Sequence, residues 1–312
     1  MLERVRVSWP LDREQPEPWP SLAARIAAQP RVLAIVHKRA DARELVTILD
    51  GQLGDRRTYH LSALMCPQHR LRVLSEIKDA LRKDGPVRVV STQLVEAGVD
   101  LDFPAVFRAL GGIDAIAQAA GRCNREGQLR DQHGQPVLGV VNVFVAQSKP
   151  PLGVPQTALE ITRSMLRAHA DLEPFSRETY DAFFRQLYFH RDLDAKGIQA
   201  MRQELQFRSV AREFRMIEDA WQESVIVRYG EAARLIDRLR YQDVSRGALR
   251  AVQRFMVSIP RRALADLEKQ GAAELVQGNV WAISAGYEHL YDDRLGLLLD
   301  SVIAADPETL IG

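Results

Sequence analysis

The chain has 312 residues, of which 46% are hydrophobic and 27% charged, a composition that excludes wholesale disorder and suggests about two domains. The 42 Lys plus Arg nearly balance the 41 Asp plus Glu, so the net charge is +1 and any contact with nucleic acid must come from a local patch. No apolar run is long enough to span a membrane and two cysteines cannot build a disulfide framework or a zinc site, so we expect a soluble, cytoplasmic protein with no metal ligand set of its own.

The first half of the chain alternates short apolar runs with helix-forming segments. The predicted strands are Arg31–Val36, Thr58–Leu61, Val87–Thr92, Ala105–Leu110 and Val137–Val145. The predicted helices between them are Ala40–Leu49, a segment that begins near Pro67 and continues past Ile77, and Asp114–Ala120. Strands that alternate with helices at this spacing predict a parallel sheet with helices on both faces.

A break rich in Pro and Gly at Lys149–Gly153 separates this half from a different pattern. From about Pro155 to Tyr241 the periodicity is almost only helical, and strands are expected again near the end, including Val280–Ile283. We therefore predict an α/β lobe over 1–150, a helical linker over 151–250 and a small accessory domain over 251–312.

The segment Met201–Arg262 contains 13 Arg and no Lys against 8 Asp plus Glu, and four aromatic residues are interleaved: Phe207, Phe214, Trp221 and Tyr229. We interpret it first as a solvated helix face whose aromatic residues belong to the core. If Lys38 does not bind DNA, this Arg-rich segment becomes the better candidate for DNA contacts.

Two blocks hold the densest set of residues suited to chemistry, Ser91–Asp100 and Gln118–Arg125. Gln-x-x-Gly-Arg-x-x-Arg places Gln118 and Arg122 four residues apart on one helical face, with Arg125 about a turn further. Two guanidinium groups and an amide suit a bound triphosphate. A planar guanidinium can donate two hydrogen bonds to phosphate oxygens, and its positive charge stabilises the charge that develops in phosphoryl transfer. Attraction to a helix C-terminus explains either arginine alone but not both blocks together.

The first block begins at the carboxyl end of a predicted parallel strand, and its first two residues, Ser91 and Thr92, carry hydroxyl groups. Ligands bind at that edge of doubly wound sheets, where a hydroxyl can donate to a phosphate. Gly98 allows the backbone to approach a ligand closely, and Asp100 can accept from a ribose hydroxyl or orient an arginine. Cys123 is interpreted as a small buried residue rather than a nucleophile.

These blocks resemble conserved motifs of superfamily 2 helicases. Ser91–Asp100 resembles motif V, Gln118–Arg125 resembles motif VI, and Leu33–Ala42 resembles the strand-loop-helix of motif IV. Val95–Phe103 is most similar to the CRISPR-associated helicase-nuclease of type I systems, and Tyr291–Leu297 resembles the C-terminal accessory domain of that family. The resemblance implies an α/β fold in which a RecA-like lobe, the second of two, precedes the linker and accessory domain.

The resemblance also implies roles for individual residues. Arg122 and Arg125 would act as arginine fingers on the γ-phosphate of ATP, and Gln118 would position that phosphate or the attacking water. Gly98 and Asp100 would complete this side of the ATP site. The backbone of single-stranded DNA would be contacted by Ser91, Thr92, His37 and Lys38, although His37 and Lys38 also fit an exposed loop with no ligand.

The sequence departs from complete members of this family, which begin with a metal-dependent His-Asp nuclease domain and a first RecA-like domain with Walker A and B motifs. It contains no Gly-x-x-x-x-Gly-Lys-[Ser/Thr] and no adjacent His-Asp pair. We therefore expect it to be the C-terminal portion and to be inactive alone. Mg²⁺ and most of ATP would bind to the first RecA-like domain, and the nuclease metal ions to the N-terminal domain.

The parent enzyme implied by the resemblance is an ATP-dependent translocase that degrades DNA in CRISPR interference. Its partners would be single-stranded DNA, an RNA-guided surveillance complex and the N-terminal half of the same protein, with no membrane. Two alternatives stay open: a non-catalytic module that binds a partner protein or DNA, and a lobe of another superfamily 2 helicase.

Overall fold

The computed structural model describes residues 4–54, 58–83, 85–95, 100–169, 172–189, 194–214, 221–241 and 246–299. The strands of the first half are β1 (Val5–Ser8), β2 (Arg31–Ile35), β3 (Thr58–Leu61), β4 (Val87–Ser91), β5 (Ala105–Ala109) and β6 (Gly139–Phe144). The helices of the first half are α1 (Trp19–Ala27), α2 (Arg39–Leu53), α3 (Pro67–Arg82) and α4 (Ile113–Ala120). They build a six-stranded sheet in the order β1-β6-β5-β2-β4-β3, and every pairing in it is parallel.

The central strand β2 shows why the sheet is covered on both faces. Alternate side chains of a strand point to opposite faces, and here both sets are apolar. Leu33 and Ile35 pack in one core with residues of α3 and α4, whereas Val32 and Ala34 pack in the other with residues of α1 and α2. The predicted fold class, an α/β lobe with a parallel sheet, is confirmed. Strand β1 and helix α1 add to the sheet and its cover beyond the elements predicted from sequence.

Four helices follow the lobe: α5 (Val154–Ala168), α6 (Arg177–Phe189), α7 (Ile198–Gln203) and α8 (Phe207–Glu213). The first two extend the lobe, because Leu159, Met165 and Phe183 are buried in the same core as α4. In contrast, α7 and α8 bury none of their residues. The boundaries at 150 and 250 stay predictions.

A second core lies in the C-terminal part. It is built from helices α9 (Ala232–Tyr241), α10 (Arg246–Gln253) and α11 (Arg261–Lys269) and strands β7 (Gln222–Ile226), β8 (Met256–Pro260), β9 (Ala273–Gln277) and β10 (Val280–Ile283). The strands form one sheet in the order β8-β7-β10-β9. The expectation of almost only helical structure up to Tyr241 is wrong at β7, whose pairing partners lie 30 or more residues later and leave no local signal.

A hairpin of β11 (Tyr291–Asp292) and β12 (Gly296–Leu297) attaches this second core to the lobe. The hydroxyl of Tyr291 accepts a hydrogen bond from the Cys66 amide and bonds to Nδ1 of His69, both at 2.9 Å. The Leu297 amide donates to the carbonyl oxygen of Leu64 at 2.9 Å. Tyr291 and Leu297, the two ends of the segment that resembles the accessory domain, therefore dock the second core onto the lobe.

One further residue of the hairpin reaches the lobe through charge. Arg294 forms an ion pair with Asp50 of α2 at 2.8 Å and donates to the carbonyl oxygen of Thr58 at 3.1 Å. This side chain thus contacts both a helix and a strand of the lobe. In the described part of the chain, no helix reaches the length and apolarity that crossing a lipid bilayer requires.

Strand β3 carries a buried histidine next to this junction. His60 is 3% exposed, and neither ring nitrogen has a hydrogen-bond partner among the described residues. Burial, reinforced by the positive charge of Arg43, lowers the pKa of His60 from 6.5 to about 3. The imidazole is therefore neutral in the folded protein near pH 7.

Substitution of Gly296 at the junction is expected to destabilise the protein. Gly296 has φ +81°, and a Cβ would lie 2.5 Å from the Leu64 carbonyl oxygen. Gly296→Ala should lower the free energy of unfolding by about 3 kcal/mol, from strain at positive φ together with the clash. Gly278→Ala is the matched control, with φ +58° and open space around it, and should lower it by about 1 kcal/mol. Equal losses in urea titrations would show that the contact with Leu64 is not tight.

Acid is expected to destabilise the protein through His60. Because the folded pKa lies below the unfolded one, the unfolded chain takes up a proton first, so this stability is complete above pH 6.5 and is lost as the pH falls toward 3. Between pH 7 and 5 the loss from one such group is about 2 kcal/mol. His60→Leu should keep the stability at pH 7 and reduce the acid loss by that amount. Urea titrations across this range measure both, and an unchanged pH dependence in the variant would contradict the prediction.

Candidate functional site

The structure brings the two predicted blocks side by side at the start of β5. The Phe103 amide donates to the Arg122 carbonyl at 3.0 Å, and the Asn124 amide donates back to the Phe103 carbonyl at 2.9 Å. The Arg125 amide donates to Oδ1 of Asp102 at 2.8 Å. Two segments about 20 residues apart are thus joined by backbone bonds, which place Asp100 and both predicted arginine fingers in one region.

The two arginines are held differently. Nε of Arg122 donates to the carbonyl oxygen of Val95 at 2.9 Å, which ties the end of one block to the other. The guanidinium of Arg125 forms an ion pair with Asp100, and the side chains are 39% and 76% exposed. Exposed ion pairs contribute at most about 1 kcal/mol, so an anionic ligand can replace Asp100 at little cost.

Gln118 lies on the exposed side of α4, one turn before Arg122. It lines a cavity of about 240 Å³ together with His37, Gln93 and Arg108. This cavity opens at the carboxyl edge of the sheet, beyond the ends of β2 and β4. The amide of Gln118 therefore links the arginine region to the edge where DNA contacts are predicted.

His37 and Lys38 follow β2 at that edge. His37 is buried and its Nε2 bonds to the Leu110 carbonyl oxygen at 3.0 Å. Its pKa falls from 6.5 to about 3, first because burial penalises the cation and then because the fully buried Arg108 repels it. A neutral ring donates from Nε2 to that carbonyl. Lys38 is half-buried and precedes the first turn of α2.

Ser91 and Thr92 follow β4 at the same edge. Ser91 is fully buried, and its hydroxyl donates to the Leu61 carbonyl oxygen of β3 at 3.0 Å. Thr92 is half-buried. The sheet edge therefore presents Thr92 to solvent more than Ser91. Gly98, predicted for the ATP site, lies outside the described residues.

Two residues that the sequence reasoning did not select prove central to the geometry. Asp102 accepts hydrogen bonds from the amides of Arg125 and Glu126. Asn124 has φ +44°, and its buried side chain donates to the carbonyls of Arg4 and Val137 while accepting from the Leu129 amide. Asn tolerates positive φ better than most residues, which was the available signal. Asp102 carried a weaker signal, because in the sequence it is only a second acidic residue two positions after Asp100.

The interpretation of Cys123 as a buried residue is confirmed. It is fully buried, and burial with the nearby charge of Asp102 raises the pKa of its thiol to about 12. A Cβ on Gly139 of β6 would lie 2.6 Å from its Sγ, so glycine is required for the strand to pass this close. A thiol held protonated in this way is not a nucleophile.

Comparison with known proteins identifies the relatives of this chain. Residues 28–128 match the family described as CRISPR-associated nuclease/helicase Cas3, C-terminal. The CRISPR-associated nuclease/helicase Cas3 of Haloferax volcanii is 47% identical over 68 residues, which cover 22% of this chain and 7% of that protein.

Solved structures show the same fold. The crystal structure of T. fusca Cas3-AMPPNP matches 94% of this chain and 41% of that chain, with a TM-score of 0.60 and 16% identity. A chain of a CRISPR RNA-guided surveillance complex, pre-nicking, matches 90% and 41%, with a TM-score of 0.53 and 16% identity. This chain thus spans about two fifths of the length of the structures it matches. The resemblance inferred from the sequence is confirmed over residues 28–128, which are similar to the C-terminal region of Cas3 helicase-nucleases, and most of the chain shares the fold of the solved Cas3 structures.

Proposed function

We propose that this chain supplies one half of an ATP site and part of a single-stranded DNA track in a Cas3-type helicase-nuclease. The observation that carries the ATP half is the backbone pairing that holds Arg122, Arg125 and Asp100 together. A random pair of surface arginines has no such support from two distant segments.

The donor set suits a triphosphate. Arg125 exchanges Asp100 for γ-phosphate oxygens, because a carboxylate and a phosphate compete for the same planar fork. Asp100, released from this pair, accepts from a ribose hydroxyl. Arg122, held through Nε by Val95, presents its charge in the same region, and Gln118 on the preceding turn orients the phosphate or the attacking water. Gly98 belongs to this proposal from its place in the sequence alone.

Groups that this sequence lacks complete the ATP site in the proposal. Mg²⁺ and the β-phosphate bind to a first RecA-like domain with Walker motifs, and the nuclease metal ions bind to an N-terminal domain. ATP, bound across the two lobes, supplies the phosphoryl-transfer chemistry. This chain's own residues bind the phosphate charge and stabilise it as it redistributes.

The DNA track follows the carboxyl edge of the parallel sheet. Thr92 after β4 and Lys38 after β2 are accessible there and contact backbone phosphates. Ser91 and His37 lie at the same edge, where their present bonds to Leu61 and Leu110 hold the loop ends in place. Contacts of this kind position a strand without reading its bases.

The remaining parts of the proposal concern the cellular setting. The shared fold with a chain of an RNA-guided surveillance complex supports such a complex as a partner. The N-terminal half of a Cas3-type protein is the second partner. We place their joint activity, ATP-driven degradation of DNA in antiviral defence, in the cytoplasm.

Removal of either arginine should abolish most ATP turnover in an enzyme reconstituted from this chain and the remainder of a Cas3-type protein. Arginine fingers contribute about 10³ to 10⁵ in rate, so Arg122→Ala or Arg125→Ala should lower kcat by orders of magnitude. The chain alone should show no turnover. Steady-state ATPase assays and thermal melting of each variant measure the two effects separately.

Arg130 provides a matched control, because it is an exposed arginine of the same loop that bonds only to the carbonyls of Gly127 and Leu129 among the described residues. Arg130→Ala should leave kcat unchanged. If the finger variants lose melting temperature but keep most of kcat, the arginines are structural and the non-catalytic module becomes the better explanation.

A further inference from the structure

The outward face of α9 carries exposed arginines. The core-facing residues of this helix are Ala232, Ile236 and Leu239. Arg234, Arg238 and Tyr241 recur at helical spacing on the opposite side and are exposed, Tyr241 by 84%. The sequence interpretation that the aromatic residues between Met201 and Arg262 belong to the core is wrong at Phe207, Phe214 and Trp221, which are more than 60% exposed.

Helix α10 packs against α9 and repeats the pattern. Val252 faces the core, whereas Arg246 and Arg250 lie on the opposite side, followed by the exposed Arg254. Four exposed arginines thus lie on two adjacent helices and a fifth, Arg254, directly follows α10. We call these five with Tyr241 the α9–α10 face.

Acidic partners are present nearby but serve other arginines. Arg240 pairs with Glu274, Arg261 pairs with Glu223, and Arg228 lies within 4 Å of Glu274 and Glu288. Across the described residues, none of the five arginines of the α9–α10 face lies within ion-pair distance of a carboxylate. This holds also for Asp237, which lies on α9. No carboxylate in the described ranges neutralises their charge.

The spacing also works against the helices themselves. Arg234 and Arg238 are four residues apart, as are Arg246 and Arg250, and like charges at this spacing destabilise a helix by about 0.2–0.5 kcal/mol per pair. A bound polyanion relieves this repulsion. Neighbouring side chains on the helix lie about 6 Å apart along its axis, close enough for one strand's successive phosphates to engage both.

We propose that the α9–α10 face binds single-stranded nucleic acid, through its phosphates at the arginines and through a base stacked on Tyr241. Arginine forks match phosphate geometry, and an exposed aromatic ring beside them is the combination used to hold single strands. The surface lies in the C-terminal domain, apart from the sheet edge of the lobe. It is therefore a second site for nucleic acid that does not depend on the ATP site.

The test measures binding of a labelled single-stranded oligonucleotide of mixed sequence to the whole chain by fluorescence anisotropy at several salt concentrations. The double variant Arg246→Gln with Arg250→Gln removes two charges from exposed positions and should melt as the wild type does. It should weaken binding and flatten the log-log salt slope by about 1.4, because each neutralised phosphate contributes about 0.7. Tyr241→Ala should weaken binding by about five- to a hundredfold with the slope unchanged.

Two further arms make the outcomes distinct. Arg82→Gln with Arg177→Gln removes two exposed arginines that already have acidic partners and should leave the slope unchanged. Lys38→Ala tests the sheet edge separately and should flatten the slope by about 0.7 if the proposed track is correct. Equal slopes for wild type and the Arg246 and Arg250 variant overturn the proposal, and binding of polyglutamate lost only in that variant assigns the face to an acidic protein instead.

Discussion

The backbone pairing of the segment before β5 with the segment after α4 is the interaction on which the functional geometry depends. The backbone of Phe103 forms hydrogen bonds with that of Arg122 and Asn124, and the Asp102 carboxylate accepts a hydrogen bond from the Arg125 amide. Without this pairing, the arginines would follow a helix end with no fixed relation to Asp100. With it, two segments about 20 residues apart form one surface. Helix α4, which lies between them in the chain, then places the charges of both arginines on that surface.

Asn124 extends the same constraint to the edge of the sheet. Its amide nitrogen reaches the carbonyls of Arg4 and Val137, which lead into the paired strands β1 and β6. This buried amide is costly to replace, because its three hydrogen bonds, to Arg4, Val137 and Leu129, would be lost together. The residue between the two arginines is thus a structural joint.

The lobe was predictable because its signals are local. Apolar runs such as Arg31–Ile35, buried on both faces, allow few alternatives to a parallel strand. Strand β7 was not predictable, since Val225 and Ile226 become a strand only by pairing with β8 and β10, which follow much later in the sequence. The burial of His37 and Ser91 was equally hidden, because a strand end indicates an edge and not which side chains turn inward.

Positioning of Arg125 by the paired segments is tested most directly by a double-mutant cycle on ATP turnover of the reconstituted enzyme. Asp102 contacts the Arg125 backbone and is not itself assigned to the nucleotide, so Asp102→Ala should act only through the arginine. We predict that it lowers kcat by about ten- to a hundredfold in the wild type, as expected for loss of a charge-assisted hydrogen bond, and changes little once Arg125 is Ala. Equal effects of Asp102→Ala in both backgrounds would contradict the claim.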